Sequence, residues 1–279
     1  MKKKIIYELN ALYREPMQVM GYVFGEGEKS VCVVGSMRGN EVQQMFSCSC
    51  LIRRLKKLEE RQELAAGKSI LVIPCINSYS MNIGKRFWST DNTDINRMFP
   101  GYQEGETTQR VAAGVFDAVK DYGIGIQFAS NYMSGRFLPH IRMMRTGFED
   151  IEAAKNFAFP YVMVRDTRPF DTTTLNYNWQ IWETKAYSVY TTDTEEIDRQ
   201  SAADAVKGIE KMLNAEGVLN SRVSGGYHYH SQVLGDDSLL SVRCMEAGIY
   251  ENKVYVGEEV HEGQLLAEIT DPYEGTVLE

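Results

Sequence analysis

Val31-Cys32-Val33-Val34-Gly35-Ser36-Met37-Arg38-Gly39-Asn40-Glu41 is the stretch that sets the architecture of this chain. Its four leading apolar residues read as a short buried strand, Gly35 ends it, and Asn40 is a residue type favoured where helices begin. A helical pattern then runs from Asn40 to Gly67, with Val42, Met45, Phe46, Leu51, Ile52 and Leu55 forming a stripe near the helical period. A side chain on such a strand-to-helix turn projects toward the strand's carboxyl edge, where open α/β sheets keep their ligands. Arg38 and Glu41 both lie in that turn.

Working outward, apolar runs alternate with helical patterns. Ile70–Pro74 reads as a strand, and a helix from about Thr108 to Asp121 carries Val111, Ala112, Val115, Phe116 and Val119 on one face. Ile124–Phe128, Tyr161–Val164 and Tyr187–Tyr190 read as further strands. A helix over Glu196–Ala215, with Ile197, Ala203, Val206, Ile209 and Leu213, stops at Gly217 as a C-cap does. The alternation predicts an α/β domain over residues 1–220, its largely parallel sheet covered by helices on both faces. Beyond it, 221–279 has no helical period and predicts a small all-β domain. Its expected strands are Ser231–Leu234, Leu239–Cys244, Lys253–Val256 and Gln264–Ile269, punctuated by Gly257, Gly263 and Gly275. The segment from Val254 to Val277 resembles one half of a biotinyl/lipoyl-type barrel-sandwich. It has no lysine in an attachment turn, so no carried cofactor is expected, and the rest of the barrel is expected from residues beyond 279.

Composition narrows the partners. The 279 residues are 43% apolar, enough for a large core, and carry a net charge of −8, which argues against nucleic acid and anionic membranes. The basic run Arg53, Arg54, Lys56 and Lys57 lies within a helical pattern and reads as a solvated face. MKKKIIYELN lacks the apolar core of a signal peptide, and no window is long and apolar enough to span a membrane. Five cysteines without framework spacing fit a reducing cytoplasm, and Cys48-x-Cys50 on a helix points its two thiols apart.

Two segments then carry a family resemblance. Gly35–Glu41 resembles the G-x-x-H-G-x-E of the succinylglutamate desuccinylase/aspartoacylase family, relatives of the zinc carboxypeptidases. Arg86-Phe87-Trp88 followed by Asp94-Ile95-Asn96-Arg97-Met98-Phe99-Pro100-Gly101 resembles that family's R…D-[LI]-N-R-x-F-P-G. The resemblance covers about residues 28–279. It implies a zinc-carboxypeptidase-like mixed or parallel sheet and an amide hydrolase acting on N-acyl amino acids or similar small carboxylates. It also implies that Asn96 and Arg97 hold the substrate carboxylate, which suits a guanidinium that donates two parallel hydrogen bonds, and that Arg86 helps bind the substrate or the transition state. Asn77 stands where the family has Asn-Pro, and is a further substrate-binding candidate.

The departures are as informative. In the family, zinc is held by the His and Glu of the first motif and by a His in D-[LIV]-H at a strand end. Here Arg38 takes the first histidine's place, Glu41 matches, and the third ligand's stretch reads Ile126-Gln127-Phe128. Asn131 and Leu138–Arg142 fit the family's continuation. Ala186–Tyr190 aligns with the strand that ends in the catalytic glutamate, which puts Tyr190 at the general base; Glu183, Asp193 and Glu195 are neighbouring candidates. A tyrosine, with an ordinary pKa of about 10, is poorly suited to take a proton from water at neutral pH. Arg38 is expected to pair with Glu41 in the metal's place, and with Arg86 and Arg97 to make a cationic pocket. No cofactor is expected, with zinc the exception if the family site is retained. A relocated metal site would draw on His228, His230 and His140, of which His228-Tyr229-His230 puts two imidazoles on one strand face. Three readings result: a hydrolase with a rearranged site, a metal-free protein binding a small anionic carboxylate, and a scaffold whose β domain mediates homo-oligomerisation.

Overall fold

The computed structural model describes residues 1–13, 15–132 and 135–279. A nine-stranded sheet comprises β1 (Lys2–Leu9), β2 (Met17–Gly25), β3 (Glu28–Ser36), β4 (Lys68–Cys75), β5 (Ile124–Ala129), β6 (His140–Arg145), β7 (Tyr161–Asp166), β8 (Lys185–Tyr190) and β9 (Gln232–Leu234). Their order is β1-β2-β4-β3-β5-β8-β6-β7-β9. The central β4, β3, β5 and β8 are parallel, whereas β6 runs antiparallel to β8 and is followed in parallel by β7 and β9. The helices are α1 (Val42–Glu60), α2 (Ser78–Asn82), α3 (Thr107–Val119), α4 (Ile151–Lys155), α5 (Leu175–Ile181) and α6 (Arg199–Ala215).

Strand alternation divides the core between the two faces of the sheet. On β3, Val31 and Val33 pack with Leu51, Leu55 and Leu58 of α1 and with Ile209, Met212 and Leu213 of α6. Cys32 and Val34 face the other way, onto Val111, Val115 and Phe116 of α3 and Trp179 of α5. That is why the strand reads as an unbroken apolar run: both its faces are covered. Among the described residues, no helix is long and apolar enough to cross a membrane.

Several boundaries differ from expectation for identifiable reasons. α1 stops at Glu60, Gln62 takes a left-handed turn, and Leu64 bridges to Leu219. Of the expected α1 stripe only Leu51 and Leu55 are buried; Val42 and Met45 are exposed. The helix's first turns instead bury Gln43 and Gln44, because they dock on backbone. Gln43 exchanges hydrogen bonds with Asp198 and Gln44 donates to the Ala129 carbonyl. α6 begins at Arg199, capped by Asp198, and leaves Ile197 exposed. The β1–β2 hairpin was not anticipated, since its outer strand carries Lys2–Lys4 and is mostly exposed, as edge strands are. Beyond residue 220, β9 is the ninth strand of the large sheet. A separate antiparallel pair joins β10 (Ile249–Asn252) and β11 (Ala267–Thr270). Leu239–Cys244 and Lys253–Val256 form no strand.

Candidate functional site

The turn after β3 is built by close backbone approaches. A Cβ on Gly39 would lie 2.1 Å from the Lys85 carbonyl and 2.3 Å from the Ser80 carbonyl carbon, so only glycine fits. Glu41, 1% exposed, folds back over the turn: its Oε2 accepts from the Met37 and Arg38 amides at 2.7 and 3.1 Å. Its Oε1 accepts from Arg38 Nη1 at 2.9 Å and from the Ser130 hydroxyl. Arg38 also forks onto Asp94, with Nε at 3.0 Å from Oδ1 and Nη2 at 2.9 Å from Oδ2. Burial by itself would lower the Arg38 pKa, but the Glu41 and Asp94 carboxylates outweigh it and raise the value. The guanidinium is a fixed cation between two acids.

Arg38 forms one wall of a cavity of about 250 Å³ at the carboxyl edge of the central strands. Arg86, Asn96, Arg97, Arg142, Arg165 and Arg168 line it, together with Gln127, Ala129, Ser130, Asp171, Asn176 and Tyr190. The sequence-predicted residues Arg38, Arg86, Asn96, Arg97 and Tyr190 therefore converge. Arg97 donates to the Asn96 carbonyl and lies over the Phe170 ring at 5.6 Å; Arg86 lies over Tyr132 at 4.8 Å. Burial lowers the pKa of both, and Arg38 lowers that of Arg86 further. Asn96 is partly committed, its side-chain oxygen accepting from the Leu175 amide at 3.1 Å.

Other expectations need correction. Asn77 does not line this cavity: it caps α2, accepting from the Ser80 amide at 3.1 Å. Phe128 does not face it either, but packs fully buried among residues of the α1/α6 side. Strand alternation sends Gln127 and Ala129 to the cavity, so Ala129 is the site-facing residue at the strand's end. Tyr190 accepts from Arg142 at 3.3 Å and stacks on His140 with ring centroids 4.5 Å apart. Burial pushes the His140 pKa down to about 4, and its Nδ1 is 2.8 Å from the Leu138 carbonyl oxygen. His228 and His230 are exposed, and His228 lies 3.4 Å from the Lys211 ammonium. Glu183 is exposed in a left-handed turn. Asp193 and Glu195 line a neighbouring recess that shares Arg86 and Tyr132 with the main cavity.

These positions decide whether a zinc ion fits. Catalytic zinc takes three protein ligands, usually imidazoles and carboxylates, with an open position for water. Glu41 is saturated by four donors, one of them a guanidinium whose charge repels a dication. Ala129 offers no donor atom. Among the described residues, no three or more His, Cys, Asp or Glu side chains are arranged to hold a metal. The residues present do not fit the ion.

Arg165, Arg168 and Asn176 had no signal in the sequence reading; they come from β7, the turn after it and α5, and only the fold brings them to the motif residues. Arg142 stands out in the sequence only as the end of the Leu138–Arg142 stretch.

Residues 27–214 match the model of the succinylglutamate desuccinylase/aspartoacylase catalytic domain. The N-alpha-acetyl-L-2,4-diaminobutyric acid deacetylase of Halomonas elongata is 24% identical over 263 residues, spanning 88% of this chain and 72% of that protein. A succinylglutamate desuccinylase/aspartoacylase structure from Rhodobacter sphaeroides superposes with a TM-score of 0.79 at 20% identity, covering 99% of this chain and 86% of its own. The product-bound ectoine utilization protein EutE (DoeB) of Ruegeria pomeroyi gives 0.76 at 18% identity, covering 95% and 81%.

Proposed function

The chain belongs to the succinylglutamate desuccinylase/aspartoacylase family of amide hydrolases, and from that premise we propose that it binds an N-acyl amino acid or similar small carboxylate without a metal, hydrolysing it far more slowly than zinc-bearing relatives. The observation that carries this reading is the Arg38 guanidinium, held by both Glu41 and Asp94 at the position where the family resemblance puts a metal-binding histidine. Amide hydrolysis at neutral pH needs an activated water, a polarised carbonyl and a proton shuttle. Arginines are suited to the second task only. Arg86 and Arg97, neither paired to a carboxylate within salt-bridge distance among the described residues, are suited to receive the ligand's carboxylate, and Tyr190 with Arg142 to donate further hydrogen bonds to it.

The charge of the cavity favours some ligands over others. The curated relative is named for a substrate whose side chain ends in a free amine. Several guanidiniums around 250 Å³ disfavour such a cation and favour an N-acylated acidic or neutral amino acid. Calorimetric titration with N-acetyl-L-aspartate and with Nα-acetyl-L-2,4-diaminobutyrate tests this directly. Binding of the first, lost in Arg97→Ala, is the expected result; preference for the second, or binding indifferent to Arg97, would refute it.

A further inference from the structure

α5 carries three buried carboxamides, and the protein uses two of them. Asn178 donates from Nδ2 to the carbonyls of Thr172 and Thr174 at 3.0 and 2.8 Å. Gln180 clamps β6, donating to the Met144 carbonyl at 2.9 Å and accepting from its amide at 3.4 Å. Asn176, 2% exposed and on the cavity wall, has no partner among the described residues at either Nδ2 or Oδ1. A buried amide left unpaired at both atoms costs free energy that folding does not return. The donor and acceptor are therefore available to whatever fills the cavity.

A carboxamide presents one donor and one acceptor side by side. An N-acyl amino acid in extended conformation presents the complementary pair, an amide N–H and a carboxylate oxygen, on either side of one Cα. We propose that Asn176 is the specificity-determining residue of this cavity, its Oδ1 accepting the ligand's amide N–H and its Nδ2 donating to the α-carboxylate. The assignment rests on the carboxylate-binding reading above and adds to it the requirement for an N–H. Arg86 and Arg97 recognise charge and would hold any carboxylate. Asn176 distinguishes an acylated amine from an ester of the same shape, because an ester oxygen would face Oδ1 with no proton between them.

Calorimetry with N-acetyl-L-aspartate and with O-acetyl-L-malate, its ester isostere, tests the assignment. The wild-type protein is expected to bind the amide about tenfold or more tighter, the scale of one buried hydrogen bond lost and one acceptor left unpaired. In Asn176→Leu the ratio should fall toward one; a merely structural role would weaken both ligands alike and leave it unchanged. Asn176→Ala serves where the leucine variant does not fold. Equal wild-type affinities, as expected if ordered water alone satisfies Asn176, overturn the assignment while leaving carboxylate binding intact. So does a ratio that survives both substitutions. If the wild type binds neither compound, the carboxylate reading and this assignment fall together.

Discussion

Replacing Arg38 by methionine, which keeps much of its volume and removes its charge, should destabilise the fold through two stranded acids. Glu41 is 1% exposed at its side chain and Asp94 14%, and each loses its counterion. Removing one partner of a buried ion pair costs about 3–5 kcal/mol. Glu41 keeps the Met37 and residue-38 amides and Ser130, and Asp94 keeps the Asn96 amide, which puts the cost near the lower end, about 3 kcal/mol. For a domain of this size that corresponds to a fall in Tm of roughly 6–12 °C. Urea unfolding and differential scanning calorimetry would read both quantities. Adding Glu41→Gln and Asp94→Asn should recover most of the loss, since a fully neutral set of similar shape strands no charge. A loss below about 1 kcal/mol, the range of a solvent-exposed pair, would show that Arg38 is not the counterion of a buried site.

Three further outcomes follow from the same geometry. Arg38→His combined with Ala129→His should create a zinc site with Glu41, giving one bound zinc per chain by elemental analysis where neither single variant retains any; a metal-free double variant would refute the assigned register of β5. His140 should titrate in NMR near its depressed value of about 4. The folded state then holds the neutral ring, so its contribution to stability is complete above an unfolded pKa of about 6.5 and is lost as pH falls toward 4; a midpoint near 6.5 in the folded protein would contradict this. Gly39→Ala should cost roughly 1–3 kcal/mol and weaken ligand binding, because the new Cβ meets backbone at Lys85 and Ser80 that cannot rotate away; unchanged stability would mean that the turn is loose.

What the sequence made legible is local chemistry with a rigid spacing. Gly35–Glu41 and Arg86–Gly101 resemble short family motifs, and that resemblance implied both the Arg38–Glu41 pairing and the convergence of Arg86, Asn96 and Arg97 that the fold shows. Asn77 misled because an asparagine at a helix start is as often a cap as a ligand, and here it caps α2. Phe128 misled because shifting a strand by one residue exchanges its faces; the buried ring belongs to the core and Ala129 to the site. Val42 and Met45 were assigned to a core stripe, but that end of α1 buries glutamines against backbone, which no apolar period records. Asn176 was invisible for another reason: a carboxamide becomes informative only when its neighbours prove to have partners and it does not.

The measurement that bears most directly on the central claim follows N-acetyl-L-aspartate with the protein under two conditions, excess chelator and added zinc, recording heat of binding and release of free aspartate together. A metal-free anion site predicts the same affinity in both, abolished by Arg97→Ala, with negligible release in either. Release that requires zinc, stops with chelator and disappears in Glu41→Ala would contradict it and identify the protein as a working zinc deacylase.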